Sequence, residues 1–409
     1  MALGPDFRRL RFAYGISELG TALSVGALPL IATLVLHAPV LQVSLLAALA
    51  GLAGAALAVP LGPWVEFRRK RPVMIGADLV RCAAVISVPL AAAAGVLSYA
   101  QLCLVAMIQT AGGIVFTSAS GAHLKALVPP QDRADANGRL ETTLWTVYSV
   151  GPAAGGALIS WLGATVTLAV DGVSFLLSAL GVSRLRCPEP APPHRHPAPR
   201  GREIAAGWHY IWTHRDLRAL YLNTLLFGGC VMASAPLLTV LMLRELGFPP
   251  WQYGVTLGAV GLGGICGALA GRPLRRRYSP RPVLLGFGAA RALWLGLFAL
   301  IPAGVPGLLV ASAAQFGMVF CAGGFNPVLA THRMEATDDG HLSRVLSAWS
   351  VSSRVAQPLM TAAGGVLAAA IGTRAALAVL AVLLLGSVAL LPWRPVRPRV
   401  APAGPGCSP

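Results

Sequence analysis

Apolar residues run through the chain in long blocks, interrupted by short clusters of arginine, proline and glycine. A helix that crosses the hydrocarbon core of a bilayer needs about 20 mostly apolar residues. Twelve blocks reach that length, at 12–36, 42–64, 72–96, 100–124, 142–162, 165–185, 217–241, 252–271, 282–302, 306–329, 345–369 and 373–393. Glycine and proline inside the blocks do not break them, because neighbouring helices re-satisfy freed backbone groups and small residues allow close packing. The pattern predicts an all-α membrane protein with twelve transmembrane helices. Arg8, Arg9 and Arg11 precede the first block, which continues to about Leu36. A cleaved signal peptide has a shorter apolar core, about 7–15 residues, so this block reads as an uncleaved span.

Composition supports the same picture. Hydrophobic residues make up 56% of the 409 and charged residues 11%, against about 25% charged in soluble domains. Too few charges remain to coat a soluble chain of this length, so lipid faces much of the exterior. The net charge of +17 raises nucleic-acid binding. Its distribution argues against it, since no basic stretch is interleaved with stacking aromatics. With the N-terminus placed in the cytoplasm, 27 of the 32 Lys and Arg lie in or beside cytoplasmic segments. Arg244 and Arg374 lie on the outer side, and Arg81, Arg291 and Arg354 fall within spans. This is a positive-inside bias, and an even number of spans puts both termini inside. Only Lys70 and Lys125 are lysines, which fits a high-GC bacterium and hence its inner membrane.

Seven cysteines include no CxxC pair, and Cys82, Cys103, Cys230, Cys266 and Cys321 sit within apolar runs. They read as small buried hydrophobes, neither disulfides nor a metal site. His194-Arg195-His196 lies in a proline-rich stretch and reads as solvated linker. Gly261 to Gly267 lies inside a span and lacks the Lys-Ser/Thr of a phosphate loop, so neither a cofactor nor ATP drive is expected. No nucleophile constellation suggests an enzyme.

The chain also repeats itself. Arg71-Pro72-Val73, Gly76 and Arg81 open the third block, and Arg281-Pro282-Val283, Gly286 and Arg291 open the ninth, 210 residues later. Pro152 with Gly155-Gly156 has a looser echo in Pro358 with Gly364-Gly365. Parallel duplication of a six-helix unit is a transporter signature that places a solute site between the halves near the midplane. The predicted organisation is a six-helix bundle over 1–185, a cytoplasmic linker over 186–216, a second bundle over 217–393 and a tail over 394–409. Within the linker, Ile204, Trp208, Ile211 and Trp212 recur at helical spacing. That predicts an amphipathic helix, either lying on the membrane surface or packed as an ordinary connector.

These residues resemble the major facilitator superfamily over about residues 8–393. Gly62-Pro63-Trp64-Val65-Glu66-Phe67-Arg68-Arg69-Lys70-Arg71 is similar to its Gly-x-x-x-Asp-Arg-x-Gly-Arg-Arg/Lys loop, with Glu66 for Asp, Phe67 for the first Arg and Arg69 for Gly. Gly151-Pro152-Ala153-Ala154-Gly155-Gly156 resembles the antiporter motif of exporters. Leu127 to Pro130, Ala136 to Leu140 and Val170 to Leu176 resemble the branch of macrolide, tetracycline and siderophore exporters. The fourth span lacks the embedded arginine of many drug/proton antiporters, Gln109 being the nearest polar residue. No acidic residue stands at Thr21, although Glu18 lies one turn away.

Charges inside spans cost at least about 2.5–3.5 kcal/mol on insertion scales and so mark function or pairing. Glu18 is the candidate for proton or cation binding; the competing reading is a helix-packing hydrogen bond. Asp78 and Arg81, at i and i+3, suit a structural and gating pair, and Asp171 reads as structural. The resemblance implies a gating loop of Gly62, Glu66, Arg68 and Arg71, with Glu66 latching onto the start of span eleven near Arg344. It also implies a kinked seal at Gly151, Pro152, Gly155 and Gly156, whose bland reading is a packing kink. The resemblance further implies a cavity lined from spans one, four, seven and ten, where the candidates are Gln109, Thr110, Asn223, Phe227, Gln315, Phe316, Phe320 and Asn326. Few polar groups and several aromatics suit an apolar or amphipathic solute better than a sugar. The expectation is therefore a monomeric exporter of a small drug, antibiotic or siderophore-like compound, driven by proton antiport and bearing on antibiotic resistance. The alternatives are a metabolite importer or uniporter, or a membrane sensor on the same fold.

Overall fold

A computed structural model describes residues 4–129, 132–185, 200–277, 280–391 and 393. The proline-rich stretch 186–199 and the tail 394–409 lie outside the described residues. Every regular element described is helical. Twelve long helical segments follow one another: Pro5–Val35, Val40–Glu66, Lys70–Ala93, Tyr99–Leu127, Arg133–Leu162, Ala164–Ser183, Arg215–Glu245, Pro250–Arg277, Arg281–Leu300, Gly304–Glu335, Asp339–Ile371 and Thr373–Leu390. They are numbered here as spans one to twelve. Among the described residues, ten of them are long and apolar enough to cross a membrane by length and composition. Several helices run past their apolar blocks: span one begins at Pro5, span five at Arg133, and span ten ends at Glu335. A helix does not stop where the hydrocarbon does. Polar turns continue the backbone ladder beyond it.

The sequence echo is a structural repeat. Spans one and seven each end in a widened helical turn, Ile31–Val35 and Leu241–Glu245. Leu36 N–H donates to Ile31 O at 3.0 Å, and Leu246 N–H donates to Leu241 O at 2.9 Å. Gly163, at φ 86° and ψ 158°, turns span five into span six, and Gly372, at φ 87° and ψ 157°, turns span eleven into span twelve. Only glycine adopts that backbone without strain. Arg71 donates to Ser183 O, and its counterpart Arg281 donates to Trp393 O. Each arginine staples the start of its bundle's third helix to the end of its sixth.

Two faces of the bundle can be distinguished. The terminal face carries the start of span one, the linker helix and the end of span twelve. The far face carries the turns at 36–39 and 246–249. Close contacts between the halves fall toward the far face. A Cβ on Gly156 of span five would lie 2.7 Å from Gly254 Cα of span eight. At the repeat-related position, a Cβ on Gly365 of span eleven would overlap Ser44 of span two. One turn or two further along, a Cβ on Gly261 would lie 2.5 Å from Ser149 Cα, and one on Gly51 would lie 2.7 Å from Pro358 Cγ. Spans five and eight, and spans eleven and two, are thus one seam used twice. Arg244 donates to Ala38 O at 3.2 Å and Trp251 N–H donates to Ser160 Oγ at 2.9 Å, tying the same face.

The linker helix is Arg200–Thr213. Ile211 is fully buried, Trp208 Nε1 donates to Ser352 Oγ at 2.9 Å, and Gly207 sits against Arg344 O. The helix packs on the start of span eleven and on span seven, while Trp208 and Trp212 keep exposed edges.

Candidate functional site

A central cavity of about 610 Å³ is walled mostly by the first bundle. Spans one, two, three, four and five supply most of its wall, and Arg354 of span eleven closes it from the other half. Glu18, Thr21, Arg81, Gln109, Thr110 and Tyr148 give it its polar lining. Glu18 stands 13 residues from the start of span one, about 20 Å along the axis at 1.5 Å per residue. It is therefore deep in the bundle, and Tyr148 Oη donates to Glu18 Oε2 at 3.4 Å.

Arg81 organises the network behind that lining. It is 3% exposed and has five donors to place. Its NH2 group donates to Thr21 Oγ1 at 3.0 Å, Nε to Gln109 Oε1 at 3.3 Å, and NH1 to Ser17 Oγ at 3.4 Å. Asp78 Oδ1 lies 3.6 Å from NH1. The guanidinium also stacks 3.9 Å over the Phe175 ring, a cation–π contact strengthened by desolvation. Gly112 makes room for the chain of Arg81, because a Cβ there would stand 2.5 Å from Arg81 Cγ.

Gln109 carries the network onward. With its oxygen accepting from Arg81, its amide Nε2 donates to Asp171 Oδ2 at 3.2 Å. Ser24 Oγ donates to the same carboxylate oxygen at 2.6 Å, and Ser174 Oγ donates to Asp171 Oδ1 at 3.4 Å. Asp171 is fully buried. The donors gathered on it match an acceptor-only group. Three carboxylates, Glu18, Asp78 and Asp171, thus surround one guanidinium, and only Glu18 reaches the cavity wall.

The second bundle has the arginine without the acids. Arg291 is 1% exposed, sandwiched between Phe227 at 4.0 Å and Phe325 at 3.7 Å. It donates to Asn223 Oδ1 at 2.5 Å, and Asn223 Nδ2 donates to Ser387 O at 2.8 Å. At the same 210-residue offset, Asp78 and Glu18 become Gly288 and Gly228. Ionisable chemistry inside the membrane is therefore concentrated in the first half.

Of the residues singled out from sequence, Glu18, Arg81, Gln109 and Thr110 meet at the cavity. Asp78 stands behind them. Asn223 and Phe227 gather around Arg291 instead. Gln315 is buried in span ten, Phe316 and Phe320 stack at 5.9 Å beside span eight, and Asn326 is exposed. In the antiporter motif, a Cβ on Gly151 would lie 2.5 Å from Ala22 Cβ, and one on Gly155 would overlap Leu23 O. Those two glycines seat span five on span one, Pro152 O lies 2.7 Å from where a Gly254 Cβ would stand, and Gly156 faces span eight. In the gating loop, Arg68 lies 5.3 Å from the Trp64 ring and Arg71 holds Ser183 O. The surroundings of Gly62 and the side chain of Glu66 lie outside the described residues. Arg344 is half-buried under the linker helix.

Ser24 and Tyr148 join the site without having been singled out by the sequence, and Arg354, read there only as a charge within a span, joins it too. Serine and tyrosine in an apolar run carry no charge to betray them. Arg354 does carry a signal, being an arginine 15 residues into span eleven.

Comparison with known proteins gives a consistent result. The chain is 29% identical over 402 residues to the multidrug efflux pump Tap of Mycobacterium tuberculosis, covering 92% of this chain and 90% of that protein. It is 27% identical over 339 residues to Tap of Mycolicibacterium fortuitum, covering 80% and 81%. Its fold matches the crystal structure of the nucleoside transporter NupG with a TM-score of 0.72 and 12% identity, covering 96% and 100% of the two chains. A bacterial homologue of the human lysosomal transporter Spinster, in an inward-facing and unoccupied conformation, matches with a TM-score of 0.69 and 14% identity, covering 94% of each. The family model described as Major Facilitator Superfamily matches residues 10–319. With its doubled six-helix bundle and central cavity, the chain is a transporter, not an enzyme, and belongs to the Major Facilitator Superfamily.

Proposed function

We propose that this protein exports a small apolar or amphipathic compound across the bacterial plasma membrane in exchange for protons, acting as a monomer. The observation that carries the reading is the cavity where Glu18 faces open space and Arg81 with Asp78 and Asp171 stands behind it. Likeness to multidrug efflux pumps over nine-tenths of the chain supports the outward direction. The basic residues clustered at the terminal face support placing that face, and both termini, in the cytoplasm.

In this reading the seams close the outer side and the cavity takes its solute from the cytoplasm. The solute leaves when the two bundles rock about the centre and the seams part. The polar wall is short and the rest of the cavity apolar, which favours an amphipathic solute over a polyhydroxylated one. Glu18 takes a proton from outside and gives it up inside, and Tyr148 holds its carboxylate in place. Arg68 and Arg71 anchor the terminal face, and Glu66 latches that face when the bundles rock.

The test is flux of a fluorescent amphipathic dye in proteoliposomes under an imposed pH gradient. Gradient-dependent transport that a protonophore abolishes is expected, with Glu18→Gln reduced at least tenfold at equal protein. Equal dye movement with and without the gradient would make the protein a uniporter. No dye movement for any of a panel of amphipaths would favour a sensor.

A further inference from the structure

Spans two and three each pack along span four but scarcely touch one another. The gap between them is a groove of about 640 Å³. Its floor is span four, through Ile108 and Gly112 among others. These floor positions lie on the opposite side of span four from Gln109, Thr110 and Gly113, which line the central cavity. The groove therefore opens sideways, away from the transport path. Its walls are apolar, and Val80 and Trp64 on its rim are 57% and 45% exposed. At the terminal face it ends under Trp64, Arg68 and Arg69. Both arginines are exposed, and the Arg68 guanidinium lies 5.3 Å from the Trp64 ring. Midway along, Gly76 meets nothing within 4 Å where its Cβ would stand.

This is an apolar slot ending under two guanidinium groups, at the level where a helix leaves the bilayer. A polar solute has no partners along the slot, and a neutral lipid has no use for the arginines. The geometry points to a bound anionic phospholipid, with an acyl chain along span four and its phosphate on Arg68 and Arg69. Guanidinium groups bind phosphate through charge-assisted hydrogen bonds, and tryptophan sits at headgroup level. The same site has a link to the transport machinery, since Gly112 in its floor is backed by the side chain of Arg81.

The test is native mass spectrometry of the purified full-length protein in detergent with equimolar dioleoylphosphatidylglycerol and dioleoylphosphatidylcholine. Two basic residues at an anionic headgroup favour its retention on the order of thirtyfold. One phosphatidylglycerol is therefore expected to stay bound in preference to phosphatidylcholine. Arg68→Ala with Arg69→Ala brings the two lipids near parity. Gly76→Phe fills the open slot and removes the retained lipid without lowering the thermal midpoint, and it decides the matter if the double variant does not fold. Wild-type protein that holds both lipids equally, or Gly76→Phe protein that keeps its phosphatidylglycerol, overturns the assignment. Displacement of the retained lipid by the transported dye overturns it too, making the groove a solute entrance.

Discussion

Arg81 holds the site together, and replacing it separates charge from shape. Without it, Asp78 and Asp171 are left fully buried with no cation. Breaking a buried pair by removing one partner costs about 3–5 kcal/mol, so Arg81→Met is expected to lower the thermal midpoint and empty the membrane of folded protein. Arg81→Lys keeps the charge but is a point donor that cannot reach Ser17, Thr21 and Gln109 together. It should retain most of the stability and lose transport. Full transport with lysine would show that the fork geometry is irrelevant. His37 gives a second test, of backbone alone. It is exposed at φ 50°, where its repeat partner is Gly247 at φ 67°. A left-handed conformation costs a side-chain-bearing residue about 1–2 kcal/mol. His37→Gly is expected to leave the thermal midpoint level or raised, and His37→Val, β-branched, to lower it. Glu18, Asp78, Arg81 and Gln109 were legible in the sequence because charge and amide stand out in an apolar run. Ser24 and Tyr148 were not, because nothing local distinguishes a serine that bonds Asp171 from one that bonds its own helix.

Helices meet here through missing side chains. Gly151 and Gly155 seat span five on span one, while Gly156 and Gly254 bring spans five and eight together across the halves. Gly156→Leu must push span eight away by more than a methyl group's width. The expected result is a far face that no longer closes: a cysteine at Ser160 becomes reactive to an impermeant maleimide added on that side, and transport falls at least tenfold. Unchanged labelling and flux would show that the seam is not a gate. The Gly-Pro-x-x-Gly-Gly motif announced a kink or a seal, but sequence could not say which glycine faced which neighbour. Helical spacing puts Gly151 and Gly155 on one face, yet the identity of the partner helix is a property of the assembled bundle. The same limit explains Asn223 and Phe227: their span was expected to line a cavity, and both instead surround Arg291, whose burial no linear pattern discloses.

At the scale of the molecule, twelve spans in two sixes were legible from hydropathy, and the 210-residue echo fixed the pairing of the halves. Spans five and eight put glycines where the halves join, at Gly156, Gly254 and Gly261. Asymmetry between the halves is the less expected feature. The first keeps Glu18, Asp78 and Asp171 around its arginine, and the second keeps Arg291 among aromatic rings and an amide. If the proton pathway lies only in the first half, exchange of protons for solute must fail when that half's cavity-facing carboxylate is neutralised. The decisive measurement is the internal pH of proteoliposomes loaded with a trapped fluorescent indicator, read as transported dye is added with no initial gradient. Dye movement in one direction should drive proton movement in the other in the wild type, and in Glu18→Gln the dye should leave internal pH unchanged. A proton signal of wild-type size in Glu18→Gln would contradict the account, as would dye transport by the wild type with no proton signal.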